Sequence, residues 1–206
     1  MAPSPSSEPQ VAPDDAELLL DLADASVIAG LAGRPAPLPA LDVLPAALRR
    51  EVGAFVTLTV DDALNGCIGN IDGAEPLGVA VPRLAWSAAF ADPRLPALRA
   101  DQYGRLTISV SILSPLAPMM VASRAKLVAE LRVGADGLVI GTPTRRAVFL
   151  PSVWEQLPDP GDFVDCLYLK AGLRVGSWPP GMMARHFSVM SFGRKAGRDP
   201  DTLEPT

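Results

Sequence analysis

Histidine is almost missing from this chain: His186 stands alone among 206 residues, beside only two cysteines, Cys67 and Cys166, far apart in sequence. That scarcity leaves no Cys-x-x-Cys or His-x-x-x-His spacing for a transition metal, and carboxylates alone would suit only a weakly held hard cation. No metal and no cofactor is therefore expected. Two distant cysteines make no disulfide framework, and no charged stretch followed by an apolar one opens the chain. The expected compartment is cytoplasmic, where a Cys67–Cys166 disulfide is disfavoured. Basic side chains are fewer than acidic ones, 18 against 23, for a net charge of -5 and a pI near 4.9. A surface of that sign is poorly suited to phosphate, so nucleic acid is not an expected partner. Long apolar runs are missing too. The longest, around Val79 to Ala91, is interrupted by Pro82, Arg83 and Ser87, well short of the roughly 20 residues that cross a bilayer. No membrane association is expected. Glycine-rich phosphate loops, Gly-x-Ser-x-Gly elbows, Rossmann fingerprints and internal repeats are likewise missing.

What is present is apolar enough to fold. With 49% hydrophobic and 20% charged residues and a mean hydropathy of +0.24, the chain can bury a core as one domain or two tightly joined lobes. Residues 1–13, with four prolines and three serines, read as a flexible arm. From Asp14, suited with Asp15 to cap a helix, apolar residues recur at helical spacing to Gly30. A short helix is expected at Pro45 to Arg50. The β-branched run Ala54 to Val60 reads as a strand ending in an Asp61-Asp62 turn, with Leu64 to Ile71 pairing back on it. Pro76 opens the next helix, and Pro82 predicts a kink or a later start. Asp92 to Pro96 is a proline-locked loop. Leu106 to Leu113 is the cleanest period-two alternation in the chain. Ser123 to Leu131 reads as a helix, Leu138 to Ile140 with Ala147 to Leu150 as a hairpin, Pro160 to Ala171 as a helix, and Arg185 to Phe192 as the final strand. The domain is thus expected over 14–193, with a frayed tail over 194–206.

Leu64-Asn65-Gly66-Cys67-Ile68-Gly69 is the one place where a reactive side chain and a permissive backbone coincide. Gly66 and Gly69 can take positive φ or let another group approach closely, and Cys67 can supply a thiolate. Cys67 has two readings: a small buried hydrophobe in a strand, or a nucleophile or acceptor of a modification. His186 is the candidate base for it if folding brings them together, and otherwise a partly exposed strand residue. Asp92 and Arg94 make either a structural cap or ion pair or part of the lining of a cleft. Cys166 reads as core beside Phe163 and Leu167, Arg145 and Arg146 as solvated at a hairpin tip, and Lys170 as a cation complementing a helix end.

Six pieces in register carry a resemblance. These are Phe55-Val56-Thr57-Leu58; Leu64 to Gly69 with Pro76-Leu77; Ala88-Ala89-Phe90-Ala91-Asp92-Pro93-Arg94; Ser109 to Leu113; Gly137 to Ile140 leading to Phe149-Leu150-Pro151-Ser152-Val153; and Lys170-Ala171-Gly172-Leu173 before Trp178. From about Ala16 to Phe192 the chain resembles the AMMECR1 family. The resemblance implies an α+β fold with a larger sheet-and-helix lobe and a smaller lobe facing it across a cleft. It implies partnership with a Memo-like protein and a radical SAM protein, this family being the A component of that set. It implies no particular reaction. The expected function is work in an uncharacterised modification pathway, with Cys67 in the cleft between the lobes as the reactive or substrate-contacting residue and Asn65, Gly66, Gly69, Asp92 and Arg94 around the bound small molecule or peptide. The alternative is a non-catalytic adaptor that binds a protein or peptide through the cleft. Two departures from the family pattern stand out: Asn65 where relatives carry Arg, and Leu95 where they carry Phe. Without that Arg the bidentate anion fork beside Cys67 is lost.

Overall fold

A computed structural model describes residues 11–197. Of the expected arm, residues 1–10 lie outside that range, as do residues 198–206 of the expected tail. In chain order the elements are α1 (Pro13–Leu31), β1 (Ala54–Val60), β2 (Ala63–Asn70), α2 (Leu77–Phe90), β3 (Leu106–Leu113), β4 (Ala117–Pro118), α3 (Arg124–Glu130), β5 (Gly137–Thr142), β6 (Arg145–Phe149), α4 (Pro160–Lys170), β7 (Met183–Phe187) and β8 (Val189–Lys195). The fold is α+β, with two four-stranded sheets ordered β2-β1-β3-β8 and β4-β7-β5-β6. The described residues form two compact units, one running to Leu113 and resuming at Met190, the other spanning Ser114–Val189.

The first unit is built on alternation. Ala54, Val56, Leu58 and Val60 of β1 and Leu106, Ile108, Val110 and Ile112 of β3 are buried and form one core with α1 and α2, while Thr57, Thr59, Thr107, Ser109 and Ser111 take the other sheet face. The β1–β2 hairpin closes through Asp61 and Asp62, both at positive φ, the left-handed pair that a tight hairpin requires. Pro13, not an aspartate cap, opens α1; Asp14 and Asp15 follow in its first turn. Val11 is already buried ahead of it. Pro82 neither delays nor interrupts α2, which is helical from Leu77 to Phe90. The short helix expected at Pro45 to Arg50 is a 3-10 turn over Ala46–Arg49.

In the second unit Leu127, Leu138, Ile140, Phe163, Val164, Leu167 and Tyr168 make the core. Ser123 and Asp159 cap α3 and α4 by accepting from Lys126 N–H and Asp162 N–H. Cys166 is half-buried, not core. The single strand expected over Arg185 to Phe192 is two strands in different sheets, β7 and β8, parted at Ser188. The strand β8 also runs to Lys195, into the segment expected to fray, and Arg194 there pairs with Glu17 and Asp21 of α1.

Candidate functional site

Cys67 sits on β2, an edge strand, opposite Thr57 of β1. Its N–H and C=O both point away from β1: the N–H donates to Asp92 Oδ2 at 3.0 Å and the carbonyl accepts from Arg94 Nη2 at 2.8 Å. Thr57 and Cys67 are therefore a pair that exchanges no ladder hydrogen bond, the closer kind of cross-strand pair. The Thr57 hydroxyl donates to Cys67 Sγ at 3.3 Å. Nothing local in the sequence marks Thr57 as part of the site. Its signal is the register of the hairpin, which a bulge displaces: Leu58 faces Gly66 while Thr59 faces Leu64, leaving Asn65 as the extra residue.

The Asp92-Pro93-Arg94 loop grips this point. Arg94 donates from Nε to Asp92 Oδ1 at 2.9 Å, from Nη2 to Oδ2 at 2.7 Å and from its backbone N–H to Oδ1 at 3.1 Å. Asp92 is only 6% exposed. Its carboxyl is held well below its ordinary value of 3.8, chiefly by the Arg94 side chain and next by the Cys67 N–H. The Arg94 guanidinium is pushed up first by its hydrogen bond to Asp92 and then by that carboxylate's charge, with smaller contributions from Cys67. The Cys67 sulfur thus meets a hydroxyl donor, while the backbone of the same residue is held by a carboxylate and a guanidinium.

Because folding lowers the Asp92 pKa, its stabilisation is complete above the unfolded carboxylate value of about 3.9 and is lost as pH falls below it. Asp92→Asn should be less stable at neutral pH yet lose stability less steeply than wild type from pH 4 downward, as read by urea midpoints across that range. Equal slopes would show that Asp92 carries no such linkage.

The two glycines act by close approach. Neither takes positive φ. A Cβ on Gly66 would lie 1.9 Å from the Ala88 carbonyl oxygen of α2, and one on Gly69 would lie 2.3 Å from the Phe55 ring. Asn65 is 7% exposed, and its Oδ1 is buried without a hydrogen-bond partner among the described residues. His186 belongs to the second unit, on β7. It is 8% exposed rather than partly open, and its Nδ1 lies 3.4 Å from Asp136 Oδ1. Asp136 also accepts from the Arg132 backbone and guanidinium, and its carbonyl accepts from Trp154 Nε1 at 2.8 Å. Among the described residues no group of three or more His, Cys, Asp or Glu could hold a metal ion, and no helix is long and apolar enough to cross a membrane.

The family model described as AMMECR1 matches residues 20–192. The chain belongs to the AMMECR1 family. It is 37% identical over 133 residues to a protein of Methanothermobacter thermautotrophicus, covering 64% of this chain and 69% of that one. A protein of Methanococcus aeolicus is 36% identical over 141 residues, covering 67% and 71%. The crystal structure of the uncharacterized protein PH0010 from Pyrococcus horikoshii has the same fold, with a TM-score of 0.79 and 26% identity over 90% of this chain and 94% of that one. The AMMECR1 match spans both the β1–β2 hairpin and the Asp92-Pro93-Arg94 loop.

Proposed function

We propose that this AMMECR1-family protein acts in the cytoplasm in a modification pathway, alongside Memo-like and radical SAM proteins, with the Cys67 thiol as its reactive or substrate-contacting group. What supports this reading is the setting of the cysteine: a half-buried residue whose Sγ receives the Thr57 hydroxyl and whose backbone is gripped on its donor by Asp92 and on its acceptor by the Arg94 guanidinium. A sulfur anion formed there, in alkylation or in attack on a substrate, is met by a hydroxyl donor already in place, with the Arg94 cation held on the carbonyl of the same residue. Asp92 and Arg94 act as positioning residues, Gly66 and Gly69 admit the strand to its place, and the substrate is a small molecule or peptide that reaches Sγ from the hydroxyl-bearing face of the sheet.

The deciding measurement is the rate of Cys67 alkylation, with Cys166→Ser to silence the other thiol. Cys67 should be alkylated faster than the same thiol in the urea-unfolded chain, and Arg94→Gln should slow it. A rate no faster than that of the unfolded chain, unchanged by Arg94→Gln, sinks the proposal. In a genetic assay Cys67→Ser should abolish function with little change in melting temperature.

A second reading, a non-catalytic adaptor, is favoured by one surface feature. Leu38, Leu41 and Val43 are 53%, 50% and 71% exposed, and Leu38 lines a cavity of about 260 Å³ together with Pro35, Ala36, Arg83 and Trp86. Clustered apolar side chains at a surface mark interaction sites. Under this reading Leu41→Asp with Val43→Asp abolishes function and Cys67→Ser does not.

A further inference from the structure

The geometry points to a second role for the Asp92-Pro93-Arg94 loop, one independent of thiol chemistry: it is a guard on an open sheet edge, and when it is released β2 pairs with the β2 strand of a second copy of this chain. An edge strand presents unpaired N–H and C=O groups, a template on which another strand can build. In an antiparallel ladder a partner strand would offer Cys67 one acceptor and one donor, side by side. Asp92 Oδ2 and Arg94 Nη2 offer that pair here, at 3.0 and 2.8 Å. Two side chains thus stand where the backbone of a neighbouring strand would stand.

The guard is fastened by a fork: Nε and Nη2 of Arg94 bond the two Asp92 oxygens, so Arg94 does not leave the edge without stranding the buried Asp92 charge. Pro93 between them fixes one backbone dihedral and keeps the loop from relaxing away. The strand behind the guard carries little side-chain bulk of its own. Gly66 and Gly69 flank Cys67 and Ile68 without side chains of their own, and Leu64, at 49% exposure, adds an apolar group to the rim. A second β2 is the occupant that fits with no further partner: an antiparallel β2–β2 pair about Cys67 is its own two-fold mate, the closed symmetry that most small assemblies adopt.

The test is the oligomeric state of the full chain, carried in a Cys67→Ser background so that no intermolecular disulfide contributes. By sedimentation equilibrium, Asp92→Ala and the milder Arg94→Gln should both dimerise at concentrations at least about ten-fold below any association of the guarded chain. Adding Leu64→Lys to Asp92→Ala should reverse the effect, since an edge lysine opposes strand pairing. Folded variants, checked by far-UV circular dichroism, whose mass matches the guarded chain would overturn the inference. So would the unmutated protein alone, if its Cys67 amide exchanges with deuterium as fast as an open edge amide, because the guard would then not be closed in solution. Protection of at least about 100-fold is expected.

Discussion

Gly66→Ala should destabilise the first unit by about 3 kcal/mol or more, above the usual range for overpacking because both groups in collision are backbone-anchored. The added Cβ falls 1.9 Å from the Ala88 carbonyl oxygen, a separation that no rotamer change relieves. Either β2 lifts off α2 or the Ala88 carbonyl turns out of its helix, and both choices move Cys67, one residue along. The thiol should change with the stability: below the unfolding transition, Cys67 in Gly66→Ala should be alkylated at a rate different from that of wild type. Gly104→Ala is the matched control, since its Cβ meets nothing within 4 Å and a shift within about 0.5 kcal/mol is expected. If Gly66→Ala proves as mild as Gly104→Ala in denaturant midpoint, the close packing of β2 on α2 is wrong.

Much of the fold is legible in the residues because local pattern and tertiary demand agree there. Leu106 to Leu113 alternates with a single buried face and forms a strand over those same residues. Ser123 and Asp159 carry short polar side chains at the point where a helix needs acceptors, and both serve as caps. Where reading fails, the deciding interaction is remote. Nothing within Arg185 to Phe192 separates two strands, because their division is set by which sheet each joins. Pro82 costs α2 a hydrogen bond, yet packing keeps the helix whole, and the Ser26 hydroxyl of α1 donates to the Pro82 carbonyl at 2.6 Å.

The site itself turns on one residue of register. Counting back from the Asp61-Asp62 turn without interruption would set Cys67 opposite Val56, on the buried face, and the bland reading of a packed thiol would follow. The extra residue at Asn65 moves Cys67 opposite Thr57, and a one-residue slip exchanges the faces of a strand. Glycines on either side announce an irregular strand but do not say where it slips; the fit of Gly66 under Ala88 does. The Asp92-Pro93-Arg94 loop was legible as a fixed ion pair, whereas its hold on the Cys67 backbone, 25 residues away, was not.

Phe163→Ala carries the other large effect, in the second unit. The ring is fully buried, stacked on Trp154 with centroids 3.7 Å apart and planes 3° from parallel, and Phe149 meets it edge-on at 5.2 Å. Truncating such a ring costs about 3–5 kcal/mol, which for a chain of this size lowers the melting temperature by roughly 10 °C. The loss should spread in a particular direction. Trp154 is held from its other side by the Asp136 carbonyl, and Asp136 in turn faces His186 and Arg132, so a loosened indole frees the buried ion cluster. Because His186 is the only histidine, its ring-proton resonance reports that release without overlap: it should shift and broaden in Phe163→Ala well below the melting transition. Phe163→Leu, which keeps volume but not the stack, should cost about 1–2 kcal/mol and leave the resonance nearly in place. A histidine signal unmoved by Phe163→Ala would mean that the aromatic stack and the Asp136 cluster are independent, and that the cluster is held by Arg132 alone.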